Sequence, residues 1–120
     1  MRLFRFSSRE HPVTALLRHM EQGRFQEAYR TLKRVEPPCS KGPLPPPHAL
    51  WRLGRWLADK GRRRRARLPF RLFLELYPHH EDRPEVLRDL ALVENSLGRH
   101  REAAGLVEQV RRLAPEKVAG

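Results

Sequence analysis

The feature that most constrains this chain is a helix–turn–helix pattern that occurs three times in phase. Its clearest copy spans residues 84–115, PEVLRDLALVENSLGRHREAAGLVEQVRRLAP. Leu87, Leu90, Ala91 and Glu94 fall on one stripe at 3/4 spacing, as expected of a helix with a single inward face. Gly98 stands where that helix must end, because glycine takes the left-handed conformation without a Cβ clash. Ala103, Leu106, Val107, Val110 and Leu113 form a second stripe, closed by Pro115. The pattern returns from residue 47, with Leu50, Leu53, Gly54, Leu57, Gly61, Ala66, Phe70, Phe73, Leu76 and Pro78 in the same register. It returns again from residue 9, with Ala15, Leu16, Gly23, Phe25, Glu27, Ala28, Leu32 and Val35. The turn glycines are 38 and 37 residues apart.

This pattern resembles the tetratricopeptide repeat (TPR), a helix–turn–helix unit of about 34 residues. Leu87, Leu90, Ala91, Gly98, Glu102, Ala103, Val107, Val110 and Pro115 fit it, whereas Glu94 stands where an aromatic is usual. The resemblance implies an all-α fold: an antiparallel helix-pair solenoid of about three degenerate repeats, near residues 9–38, 47–78 and 84–115. It also implies a concave groove lined by the first helix of each repeat. Carried over, the groove positions are Glu10, Val13, Leu17 and Met20, then His48, Trp51, Arg55 and Ala58, then Glu85, Arg88, Leu92 and Asn95. Leu17, Met20, Trp51, Arg55, Arg88 and Leu92 are the expected partner-binding residues, since tryptophan and arginine are often the energetic anchors of interfaces. The lysine and asparagine clamp of the chaperone-binding branch has Val13, Leu17, Glu85 and Asp89 in its place, so binding of acidic C-terminal tails in that manner is not expected.

A chain of 120 residues is read as one domain, residues 9–115, with an arm at 1–8 and a tail at 116–120. In the arm, Leu3, Phe4 and Phe6 are expected to pack on the first repeat. The pattern predicts helices over about 9–22, with Ser8 as N-cap, then 24–36, 47–60, 84–97 and 100–113. Residues 37–47, PPCSKGPLPPP, read as a stiff extended linker. The remaining helix is harder to place. Proline in a helix interior removes a hydrogen bond at a cost of about 3 kcal/mol. Pro69 therefore predicts a late start, with a helix over about 69–77 and a basic loop over 61–68.

The formal net charge is +11 and uneven. Residues 41–78 hold ten basic and two acidic groups, whereas residues 79–120 hold seven and eight. Arg62, Arg63, Arg64, Arg65, Arg67 and Arg71 form the densest basic patch. Codon bias accounts for a preference for arginine over lysine, but not for this clustering. No catalytic triad, phosphate loop or cofactor motif is recognisable, so the expectation is a protein without enzymatic activity or cofactor. Residues 79–82, HHED, read as a linker rather than a metal site, because adjacent side chains seldom converge on one ion. Cys39 lies among prolines with no activating neighbour beyond Lys41. No apolar run is long enough to span a membrane, and the expected location is the cytoplasm. The leading expectation is a scaffold that binds an acidic protein segment in its groove, aided by the basic edge. The alternative is nucleic-acid or ribonucleoprotein binding through the arginine patch. Apolar surface at the ends of the solenoid would also permit pairing with a second copy.

Overall fold

A computed structural model describes residues 10–35 and 43–114. The expected packing of the N-terminal arm, the Ser8 cap, Cys39 and the tail lie outside the described residues. The described chain is all-α, with six helices: α1 (Pro12–Glu21), α2 (Phe25–Leu32), α3 (Pro47–Asp59), α4 (Arg63–Leu76), α5 (Arg83–Ser96) and α6 (His100–Leu113). Consecutive helices pack as antiparallel pairs, α1 with α2, α3 with α4 and α5 with α6. Each pair then stacks on the next, mainly by α2 and α3 and by α4 and α5. First helices also meet first helices, α1 with α3 and α3 with α5, and so form one face of the stack.

Three nearly identical turns produce this repetition. Gly23, Gly61 and Gly98 have φ of 73°, 78° and 82°, a region that strains any residue with a Cβ. The amide after each glycine bonds back to the preceding helix. Arg24 N–H donates to His19 O, Arg62 N–H to Leu57 O and Arg99 N–H to Glu94 O, each at 2.8 Å. This 6→1 closure satisfies carbonyls that the helix end would otherwise leave open. Arg24, Arg62 and Arg99 share φ/ψ near −92° and +66° (−93°/72°, −92°/63° and −92°/66°), and each begins the next helix.

A single hydrophobic core runs along the stack. Leu16, Ala28, Leu32, Leu50, Leu53, Leu57, Ala66, Phe73 and Val86 have no accessible surface. Pro45, in the described end of the proline-rich segment, is tied to it by Tyr77, whose hydroxyl donates to the Pro45 carbonyl at 2.6 Å, whereas residues 37–42 of the expected linker lie outside the described residues. Helix α1 starts at Pro12 rather than near residue 9, and its N-cap is His11. The His11 Nδ1 accepts the Val13 N–H at 3.1 Å and so takes up one of the open amides of the first turn. His80 does the same for Asp82 N–H at 3.0 Å, while its ring packs against Phe73 at 5.1 Å. Residues 79–82 thus form a packed turn into α5.

The late start expected for α4 is incorrect. The helix begins at Arg63 and carries Pro69 inside it. Running the helix back from Phe70 continues the 3/4 stripe to Ala66, which is fully buried, and brings Arg67 onto α5. Those gains exist only if residues 63–68 are helical, and they offset the hydrogen bond that Pro69 cannot donate. Pro69 is itself buried.

Within the second pair, α3 and α4 approach most closely at Gly54. A Cβ there would lie 2.5 Å from Cε1 of Phe70, whose ring is fully enclosed. Alanine gains about 0.5–1 kcal/mol of helix propensity over glycine, but overpacking a core costs about 1–3 kcal/mol. Gly54→Ala is therefore expected to lower stability by about 1–2 kcal/mol in chemical denaturation. Gly105, in the middle of α6, has open space around the same position. Gly105→Ala is expected to raise stability by about 0.5–1 kcal/mol in the same assay.

His19 on α1 is held below the ordinary imidazole value of 6.5, first by burial and then by the neighbouring Arg18. The folded chain thus disfavours the protonated ring that the unfolded chain accepts. Stability from this site is present above pH 6.5 and is lost as the pH falls through the lowered folded value. His19→Asn is expected to flatten that part of the stability–pH curve, measured by urea unfolding across the acidic range.

Candidate functional site

The face formed by α1, α3 and α5 carries the residues expected at a groove, but it does not present them alike. Met20 is in the core, 6% exposed, and is not available to a partner. Its position near the end of α1 turns it under the first pair, where it joins Val13 and Leu16. Leu17 is exposed on the same helix. Trp51 is half-buried and already engaged. Its indole N–H donates to Asp89 Oδ2 at 2.7 Å, bridging α3 to α5, and the Arg55 guanidinium lies 5.8 Å over its ring. Trp51 therefore fastens α3 to α5 on this face.

Between α3 and α5 lies a hollow of about 260 Å³, lined by Arg55, Ala58, Arg63, Asp89, Leu92 and Ser96 among others. A second hollow of about 260 Å³ lies between α5 and α6, lined by Arg88, Ala91, Leu92, Asn95, Val107 and Val110. Leu92 borders both and is 67% exposed. Arg55, Arg63 and Arg88 have no carboxylate within ion-pair distance among the described residues. Asp59 and Asp89 share the first hollow, so its charge is mixed, with Asp89 committed to Trp51.

The arginine patch is divided by the fold. Arg62, Arg63, Arg64 and Arg65 are exposed at the turn and first turn of α4. Arg67 and Arg71 are not free. Both reach Glu94 Oε2 on α5, Arg67 Nε at 3.1 Å and Arg71 Nη2 at 3.2 Å. Arg99 Nε stands 3.0 Å from Oε1 as an ion pair, without hydrogen-bond alignment. Glu94 is 1% exposed, so one buried carboxylate on α5 gathers three arginines, two from α4 and one from the turn into α6. These contacts make Arg67 and Arg71 internal supports. The clue in the sequence was Glu94 itself, a charge on an otherwise apolar stripe.

Sequence reasoning also missed the aromatic side chains near the patch. Phe25 on α2 stacks on Trp56 of α3, with centroids 4.9 Å apart and planes 18° apart. Tyr29 lies beside Arg65, which also donates to Gln26 Oε1 at 3.2 Å. The register of α2 against α3 and α4 brings these together, and no local spacing announces it. At the N-terminal end, Glu10 pairs with Arg18 at 2.8 Å, and this hydrogen bond lowers the Glu10 carboxyl below its ordinary value.

Among the described residues, no three potential metal ligands cluster, and no helix is long and apolar enough to cross a membrane. The described residues form an all-α, helical-repeat-like arrangement of antiparallel pairs. Compared with known proteins, the chain matches no family model and no curated sequence.

The Glu94 cluster leads to unequal mutational effects. Arg67→Met leaves the buried carboxylate two remaining cations. Glu94→Ala leaves three arginines, each partly exposed and able to turn to water, but opens a cavity. Glu94→Ala is expected to destabilise by about 2–4 kcal/mol and Arg67→Met by about 1–2 kcal/mol in urea titration.

Proposed function

We propose that this chain is a tetratricopeptide-repeat-like scaffold that holds a segment of another protein on the α1–α3–α5 face, without catalysing a reaction. The observation that carries the reading is Leu92, an exposed leucine between two hollows, with unpaired Arg55, Arg63 and Arg88 around it. A leucine so exposed loses little on folding, whereas a partner's apolar side chain seated beside it gains buried area. The arginines favour an acidic group next to that apolar side chain, since arginine forks suit carboxylates. Recurrence of the same left-handed glycine turn at Gly23, Gly61 and Gly98 supports the family reading. The proposed location of this binding is the cytoplasm.

The test is capture from native lysate, after nuclease treatment and at high salt, comparing the parent chain with Leu92→Asp and Arg55→Glu. Leu92 is exposed, and surface substitutions of this kind change stability by about 0.5 kcal/mol or less. A specific protein retained by the parent chain should fall about tenfold with each variant, as expected for interface anchors worth about 1.4 kcal/mol or more. Equal retention by all three would exclude this face as the binding site.

A further inference from the structure

We infer that the junction of the first and second helix pairs is a separate binding surface for single-stranded nucleic acid, built from aromatic rings that each carry a tethered cation. Arg52 lies 5.9 Å over the Phe25 ring and Lys60 lies 5.8 Å over the Trp56 ring, on either side of the Phe25–Trp56 stack. Next to them Tyr29 carries two cations, Lys33 at 5.6 Å and Arg65 at 5.8 Å. Phe25, Tyr29 and Trp56 are half-buried, and all four cations are exposed. None of the four has a carboxylate within ion-pair distance among the described residues. This surface lies apart from the α3–α5 hollow, and it stands whether or not the groove binds a protein.

Unpaired charge alone would suit any polyanion, so the rings decide the class. A cation held over a ring at an exposed site is weakly bound and exchangeable. A nucleobase can take its place on the ring face, because every base has a π-face and stacking tolerates any sequence. The displaced ammonium or guanidinium stays tethered within reach of the neighbouring phosphate. Both halves of a nucleotide are thereby engaged. A duplex offers the phosphates but keeps its bases stacked inside. An acidic peptide offers carboxylates but nothing for the rings.

The experiment is fluorescence anisotropy with labelled oligouridylate and oligothymidylate of about 15 nucleotides, a length within reach of known single-strand sites. A duplex of equal length and polyglutamate serve as comparators. With four cations engaged, the log–log salt slope should be about −3, or roughly 50-fold weaker binding between about 50 and about 200 mM salt. The triple variant Arg52→Gln, Lys60→Gln, Arg65→Gln should flatten the slope to about −1. Tyr29→Leu should weaken single-strand binding about fivefold or more with the slope unchanged, as expected for loss of a stacking ring. A Trp51→Phe chain leaves Trp56 as the sole indole, and its fluorescence should be quenched by the bound strand. This readout stands even if Tyr29→Leu fails to fold. Stronger binding of either strand would tell RNA from DNA, with both supporting the surface. Duplex or polyglutamate binding as tight as the single strand, an unquenched Trp56, or no binding at low salt would each overturn the inference.

Discussion

A carboxylate with almost no access to water must be matched by cations held in place, because an unpaired buried charge is far more costly than a paired one. Glu94 sets that condition for the second half of the molecule. Its partners come from α4 and from the turn into α6, so α4, α5 and α6 can dock only in the arrangement that delivers Arg67, Arg71 and Arg99 to one point. An aromatic at the same place would fill space with less demand on direction. The ionic solution ties the register of α4 to α5 through Arg67, four residues after Arg63 begins the helix. It also explains why α4 continues through Pro69.

The fold was legible where local chemistry decides it. The three turn glycines, the proline at the start of α3 and most of the 3/4 stripes each have a local physical reason and stand where the sequence puts them; Leu113, expected in the inward stripe of α6, is instead 53% exposed at the end of the stack. The start of α4 was not legible, because the proline rule weighs one lost hydrogen bond and cannot see the burial of Ala66 or the reach of Arg67 to α5. The site was less legible still. Arg62, Arg63, Arg64 and Arg65 are exposed as a run of charge suggests, but Arg67 and Arg71 find their carboxylate 27 and 23 residues away. Met20 has the right periodicity for a groove and yet sits in the core, because it continues the buried stripe of Val13 and Leu16 at 3/4 spacing.

Charge and apolar exposure are thus distributed by packing rather than by sequence position. Two of the three carboxylates of α5 are held by neighbouring side chains, Glu94 by three arginines and Asp89 by Trp51. Lys33, Arg52, Lys60 and Arg65, where the first pair meets the second, have no such partners among the described residues and rest on aromatic rings instead. Unpaired cations at that junction favour the approach of anions.

The stacked arrangement has a consequence for how the molecule opens. In a stack where each pair depends chiefly on its neighbour, stability is a sum of pair and interface terms, and unfolding can stop part-way. The first pair is short, ten residues in α1 and eight in α2, and among the described residues holds no ionic hub like that of Glu94. Amide protons of α1 and α2 should accordingly exchange with solvent through partial openings that leave α4, α5 and α6 protected. The Phe25–Trp56 stack straddles the seam along which that opening would run, so anything that clamps the two rings together would also fasten the first pair to the rest.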